Sequence, residues 1–442
     1  MTFDPRTLPD FTRKSVVDRH MERLDTHGVS RRDFLSFASA AAVAAASAKA
    51  FGLGQVALAD GGGKLAYLSG YLRNEWNVQF SDAIQEAGRQ FGYSYTALDS
   101  QIDGQRQYNQ FEEQVVAGAN GMIFNLSDGA AIRRIADVAS REKIFVANIW
   151  DSLPWFTPFE TGDYWTLYAQ PEEFSAQKAL TEVLLKKVTD EFGGGKIAAV
   201  TGNPGNTLDT LRSRGTAAAF AAYPQTELVD SLPGLWNRED SLRAAEDLLT
   251  RHGDIVGFVG HNDDVAQGIL AALRTNGLKA GQDVFVAATD ATLEGATAVR
   301  NGLQISTSAN SPPWAGGFFV ARLYDVQNGW EPRPIERLLS WRSVLLTQDN
   351  IDSYFGRYVD NNGVAPFDYQ RMSKVLHPDD WDPQNEVFPL DVDILWDGLP
   401  KPDGWQYPKE YTEARANGDW EAVTAEYAEH YQVKFIGPSP NA

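Results

Sequence analysis

Residues 121–150 read GMIFNLSDGAAIRRIADVASREKIFVANIW, and this stretch fixes the architecture. Met122-Ile123-Phe124-Asn125-Leu126 is a short apolar run of strand type. Ile132, Ile135 and Val138 then recur at helical spacing, and Ile144 to Ile149 is apolar again. Strand, one-faced helix and strand in about thirty residues is the repeat of parallel α/β structure, because a parallel crossover needs a helix to return the chain.

The same rhythm extends outward in both directions. Upstream, Leu65 to Gly70 is a strand, Phe80, Ile84, Ala87, Gly88 and Phe91 stripe a helix, and Tyr93 to Leu98 is a second strand. A further helix runs through Phe111 and Val115. Downstream, an aromatic connection from Asp151 to about Pro171 interrupts the pattern, which restarts with a helix over Glu173 to Thr189 ended by Gly193-Gly194-Gly195. Strands follow at Lys196–Thr201, Glu227–Val229, Ile255–Val259 and Val284–Ala287, each separated by an amphipathic segment. Two such halves predict an α/β protein of two doubly wound, Rossmann-like lobes joined by a hinge. Ligands of such sheets bind beyond the carboxyl ends of the strands. Beyond about Arg342 the alternation stops, and the tail is rich in Trp, Tyr, Pro and Asp. Only Pro408 to Tyr431 has helical spacing, with Asn417-Gly418 as a break. This tail is expected to be an extension that wraps the second lobe.

Composition excludes several function classes. The net charge of −20 argues against a nucleic-acid partner, whose counterions a basic patch would have to displace. Cys is absent, which removes disulfides, thiolate metal sites, a cysteine nucleophile and a lipid anchor on cysteine. The 6 His show no metal-ligand spacing. Neither Gly61-Gly62-Gly63-Lys64 nor Gly193-Gly194-Gly195-Lys196 continues into Ser or Thr, so neither is a phosphate-cradling loop. No nucleophile elbow is present. The expectation is a binding protein with no catalytic residues, cofactor or metal.

The first sixty residues read as an address. Ser30-Arg31-Arg32-Asp33-Phe34-Leu35 precedes an Ala-rich run, and Ala57-Leu58-Ala59 gives a small-x-small cleavage site before Asp60. The paired arginines resemble a twin-arginine export signal. A transmembrane anchor would need roughly twenty strongly apolar residues, and this run is mostly Ala with Lys49 inside it. The mature chain is therefore expected in the periplasm, without membrane insertion after cleavage.

Polar residues suited to hydroxyl recognition collect after the strands of both halves. They include Arg73-Asn74-Glu75-Trp76-Asn77, Gly202 to Asn206, Arg212-Ser213-Arg214-Gly215 and Leu235-Trp236-Asn237. His261-Asn262-Asp263-Asp264, Thr289-Asp290 and Ser308-Ala309-Asn310 complete the set. Amides and carboxylates exchange hydrogen bonds with hydroxyls, and Arg supplies a fork of fixed donors. Taken singly, Asp263 and Asp290 could equally cap helices.

In this order and spacing, residues 64 to about 340 resemble a ribose-binding-type member of the type I periplasmic binding proteins, the solute receptors of sugar ABC transporters. The resemblance implies that Asn74, Arg212, Asn262, Asp290 and Asn310 bond sugar hydroxyls, and that Trp76 and Trp236 sandwich the ring. Asn77 lies beside the first group. One departure stands out. After the fourth strand the family has Asp-Arg, whereas this chain reads Ile149-Trp150-Asp151-Ser152, so an aromatic or a carboxylate replaces a cationic clamp. The expected ligand-binding set is thus Asn74, Trp76, Asn77, Trp150, Asp151, Arg212, Trp236, Asn262, Asp290 and Asn310. The implied organisation is a signal at 1–59, an N-terminal lobe of 64–165 plus about 310–338, a C-terminal lobe of 166–309 plus about 339–360, and an extension over 361–442 packed on the lobes. The implied partners are a sugar or polyol and an inner-membrane ABC permease, with the protein acting as a monomer. The alternatives are a sensory module presenting sugar to a membrane receptor, or an enzyme using Asp151 and Asp290 as an acid–base pair.

Overall fold

The computed structural model describes residues 63–361, 364–396 and 399–441. The expected export signal and its cleavage site lie outside them. Two sheets form two lobes. The strands are β1 (Lys64–Ser69), β2 (Ser94–Asp99), β3 (Gly121–Asn125), β4 (Phe145–Ile149), β5 (Trp165–Pro171), β6 (Gly195–Thr201), β7 (Thr226–Pro233), β8 (Ile255–Gly260), β9 (Phe285–Thr289), β10 (Ser306–Ala309), β11 (Leu338–Trp341), β12 (Val344–Thr347) and β13 (Val387–Pro389). The first sheet has the order β13-β11-β5-β4-β3-β1-β2 and the second β12-β10-β9-β8-β6-β7. Only β12 and β13, each at an edge, run antiparallel to their neighbours. The others are parallel, and apart from the partly exposed edge strands β2 and β7 they are buried on both faces, which is why most of them read as continuous apolar runs.

Helices α1 (Glu75–Gln90), α2 (Gly104–Val116) and α3 (Ala131–Glu142) connect the first strands. α4 (Glu173–Phe192), α5 (Thr207–Ala219), α6 (Arg238–Arg251), α7 (Asp263–Thr275) and α8 (Leu293–Arg300) serve the second lobe. α9 (Pro312–Gln327) returns to the first lobe and lies directly on α1. That approach requires Gly316, where an added Cβ would sit 2.7 Å from the Cβ of Ala83 and 2.9 Å from the carbonyl of Phe80.

The chain crosses between sheets four times: after Pro171, between Ala309 and Pro312, between Trp341 and Val344, and again between Thr347 and Val387. The first crossing falls beyond the 165/166 boundary drawn from the rhythm, because Trp165–Pro171 is a buried strand of the first sheet rather than part of a loop. Its own Trp165 and the nearby Phe156 and Tyr164 gave it the look of an aromatic connection. β11 likewise belongs to the first sheet, one strand further than 338.

The C-terminal extension corrects the expectation that it wraps the second lobe. β13 pairs with β11 in the first sheet, and Phe367, Tyr369, Met372, Trp381 and Tyr427 are buried in the core of the first lobe. α10 (Ile351–Tyr358) and Asp360 just beyond it reach the second lobe: the Tyr354 hydroxyl donates to the carbonyl of Ala291 at 2.9 Å, and Asp352 and Asp360 pair with Arg300. The tail covers an otherwise open sheet edge, whose unpaired amides would be a pairing hazard. α11 (Lys409–Asn417) and α12 (Asp419–His430) divide at Gly418, whose φ of 86° is the left-handed conformation glycine adopts without strain.

The extension also braces the crossings. The Trp314 indole donates to the carbonyl of Pro383 at 2.6 Å, and Trp314 packs on Trp341. Arg342, in the third crossing, pairs with both Glu172 of the first crossing and Glu386 of the extension.

Candidate functional site

A cavity of about 110 Å³ lies between the carboxyl ends of the two sheets. Nine of the ten residues singled out from the sequence line it: Asn74, Trp76, Asn77, Trp150 and Asp151 from the first lobe, with Arg212, Trp236, Asn262 and Asp290 from the second. Asn310 does not line it. It stands behind, donating to Asp290 at 3.0 Å and accepting from the Trp76 indole at 2.7 Å. No described residue of the C-terminal extension reaches the cavity.

Local structure explains the placement. Asn74 and Asn262 are the N-caps of α1 and α7, each accepting from a backbone N–H three residues on. A cap must stand at the strand-to-helix turn, so the cap reading and the cleft reading of these asparagines hold together. Asp290 is not a cap. The cap of α8 is Thr292, and Asp263 accepts from the Thr292 backbone at 2.9 Å. Asp263 is thereby spent on tying the α7 and α8 turns together.

The backbone around the cavity is strained. Ile102, Trp150, Leu235, Trp236 and Asp290 all line it, with φ values of 64°, 62°, 52°, 60° and 123°. Such conformations cost about 1–3 kcal/mol each in residues other than glycine and concentrate where geometry serves function. Here they aim two indoles and a carboxylate into the cleft. Trp236 lies flat against Gly202, where an added Cβ would fall 2.0 Å from its ring. Gly202 is thus required for close approach, beyond forming a turn.

The aromatic arrangement differs from the implied Trp76–Trp236 sandwich. Trp76 packs on Trp150, with ring centroids 4.2 Å apart. Trp236 faces the Arg212 guanidinium at 5.7 Å. Trp150 is fixed by its indole N–H on Glu173 at 3.1 Å and by the Tyr168 hydroxyl, which donates to its carbonyl at 2.6 Å.

Arg212 is the centre of the polar network. Its Nε donates to Glu173 at 2.7 Å, one terminal nitrogen donates to the carbonyl of His261, and the other approaches Asp290 at 3.4 Å. Burial works against the guanidinium, yet the charges of Glu173 and Asp290 hold its pKa above the ordinary value. Burial drives the Asp290 carboxyl well above the usual range, against the opposing pull of Arg212. Asp151 is pushed up to about 7 by burial, opposed by the hydrogen bond from Asn206. Burial lowers His261, which meets Asp209 through Nδ1 at 2.6 Å.

Several hydrogen bonds join the lobes across this region, among them the Trp341 indole donating to the carbonyl of Asn310 at 3.0 Å. Trp150 meets Glu173 and Trp76 meets Asn310 as described; Asn206 donates to Asp151 at 2.8 Å, and the backbone of Leu293 donates to Glu75 at 2.8 Å. Sequence reasoning missed Glu173, and with it the lining residues Tyr71, Ile102, Asn125, Ser127 and Leu208. An acid opening a helix is commonplace, so Glu173 gave no signal. The Asn-rich 203–206 turn was legible as part of the second lobe's strand ends.

Three comparisons bear on this geometry. The periplasmic binding protein domain family matches residues 65–330. The ribose import binding protein of Salmonella typhimurium is 27% identical over 252 residues, which is 57% of this chain and 80% of that protein. Among solved structures, a twin-arginine translocation pathway signal protein from Burkholderia phytofirmans superposes with a TM-score of 0.63 at 21% identity, over 68% of this chain and 94% of its own. A periplasmic sugar-binding protein from Pseudomonas fluorescens gives a TM-score of 0.61 at 21% identity, over 75% and 98%.

Proposed function

Because the chain belongs to the periplasmic binding protein domain family, we propose that its cleft captures a small sugar or polyol in the periplasm and delivers it to an inner-membrane ABC permease. The observation that carries this reading is the cavity itself. Amides from both lobes, a guanidinium, two carboxylates and three tryptophans converge on it from the carboxyl ends of two sheets. A polyhydroxylated ligand needs that mixture, since hydroxyls both donate and accept while the C–H face packs on a ring. The ligand is not changed, and its binding drives closure.

In this reading Arg212, Asn262 and Asp290 hold hydroxyls from the second lobe and Asn74 and Asn77 from the first, with Trp76, Trp150 and Trp236 as apolar walls. Asn310 acts through its bonds to Asp290 and Trp76. The lobes move about the first three crossings, and the cross-cleft bonds form as they meet. Ligand affinity is then the intrinsic affinity of the closed form reduced by the fraction of time the empty protein spends closed. Only the closed form offers the permease both lobes in one arrangement.

The test is calorimetric titration of the purified mature chain against pentoses, hexoses and linear polyols, followed by uptake measurements in cells with and without this chain. Saturable one-to-one binding of a neutral polyol without turnover is expected. Conversion of the bound sugar would sink the reading.

A further inference from the structure

The cavity has two acidic linings, Asp151 and Asp290, and Arg212 is its one basic side chain. That arginine is already engaged on three sides. Glu173, 2% exposed, takes its Nε, Asp290 its terminal nitrogen, and the His261 carbonyl the other. Glu173 spends its second oxygen on the Trp150 indole, so one carboxylate both neutralises the cation and sets an aromatic wall. From this geometry we infer that Glu173 is a specificity-determining positioning residue, which makes the cleft accept uncharged polyols and reject acids of the same size. The inference rests on the sugar-binding reading above and adds the charge class of the ligand.

The physical reason is partner exhaustion. A carboxylate is recognised strongly by a paired fork of guanidinium N–H groups. Here the Nε side of the fork faces Glu173, and Asp290 competes for one terminal nitrogen. A ligand carboxylate in the closed cleft would be desolvated without a cation of its own, which is the costly arrangement for a buried charge. A hydroxyl asks only for single N–H or C=O partners. The amides of Asn74, Asn77 and Asn262 and the remaining guanidinium protons supply those. Trp150 strengthens the exclusion, because an indole held against Trp76 offers an acid nothing where the related pattern has a cationic clamp.

Matched pairs test this by calorimetry: D-ribose against D-ribonate, D-glucose against D-glucuronate and D-allose against D-allonate. The parent is expected to prefer the neutral member of a bound pair by more than thirtyfold. In Glu173→Gln, nearly the same shape with one charge fewer, that ratio is expected to fall at least threefold, and Glu173→Asp is expected to restore most of it. Rescue by the shorter acid separates charge selection from simple support of Trp150. A parent ratio under thirtyfold overturns the inference, as does a folded Glu173→Gln whose ratio stays within threefold of the parent's. If Glu173→Gln does not fold, the parent ratio alone decides. Failure of the parent to bind any neutral member instead counts against the sugar-binding reading itself, and the inference falls with it.

Discussion

Arg212 in the cleft and Arg322 beneath the C-terminal extension are both 1% exposed, yet their charges are settled in opposite ways. Arg322 pairs with Asp325 at 2.9 Å, and next to it Lys374 and Arg333 share Glu336 and Glu426. Three cations meet three carboxylates there, and the arginine and lysine also lie over the rings of Trp330 and Trp381. Around Arg212 the acids are in excess, the backbone is strained, and a cavity adjoins. A cluster that only holds structure is balanced and closed by packing. A cluster beside a ligand cavity carries unbalanced charge and strained backbone, and the fold bears the cost.

The largest effect is expected where the balanced cluster is broken. Asp325→Ala strands Arg322 in the core and also removes the acceptor of the Ser373 hydroxyl and the Lys374 and Val375 backbones. Breaking one side of a buried pair costs about 3–5 kcal/mol, read as a shift in urea unfolding, while affinity stays within about twofold. A loss under about 1 kcal/mol would show that the extension is not built into the first lobe.

Asp290→Ala should reverse the pattern. It removes one acid from a cluster with too many, so melting should change little. Losing a charged partner for a hydroxyl should cost binding about 1.5–3 kcal/mol, or roughly ten- to more than a hundredfold in Kd. Parent-like affinity would place the ligand elsewhere in the cleft.

Acidity offers a third handle. The Asp151 carboxyl is raised from its ordinary value to about 7 by burial in the closed arrangement, so that form holds a proton the open, hydrated form gives up between about pH 4 and pH 7. Glu75, also bonded across the lobes, is likewise raised by burial to about 7. A raised carboxyl stabilises the closed form fully below the open form's ordinary value, and that stabilisation is lost as pH rises through about 7. Binding should therefore be tighter at pH 5.5 than at pH 8, by up to about tenfold per pH unit for one linked proton. Asp151→Asn should flatten part of this slope. Affinity that rises with pH would contradict the closed-cleft protonation.

The smallest effect belongs to the exposed pair between Glu386 and Arg342 at the third crossing. Glu386→Ala should change stability by less than about 1 kcal/mol, because water screens exposed ion pairs. A change above about 2 kcal/mol in either melting or Kd would mean that the extension controls the hinge as well as bracing it.

Much of this was legible from the chain. The strands Lys64–Ser69, Gly121–Asn125 and Ile255–Gly260 are apolar on both faces, and the helices between them carry one apolar stripe each, so local pattern and tertiary role coincide. β5 was not legible, because its Trp-Thr-Leu-Tyr follows an aromatic turn with no helix before it to set the rhythm. The extension was opaque for a related reason. Tryptophan and tyrosine stripe surfaces and cores alike, and only packing shows that Trp381 and Tyr427 are core while Trp155 stays half exposed.

At the cleft the division is sharper. The sequence by itself determined that polar residues stand after successive strands, and parallel strands carry all such ends to one edge; nine of ten candidates follow from that rule. The tertiary structure alone decided how they are paired. It set Trp150 rather than Trp236 on Trp76, moved Asn310 behind Asp290, and closed Glu173 onto Arg212 from 39 residues away in the chain. Position along a strand is a local property written in periodicity. The partner of a buried charge depends on which distant groups share its dry volume, and no spacing along the chain encodes that.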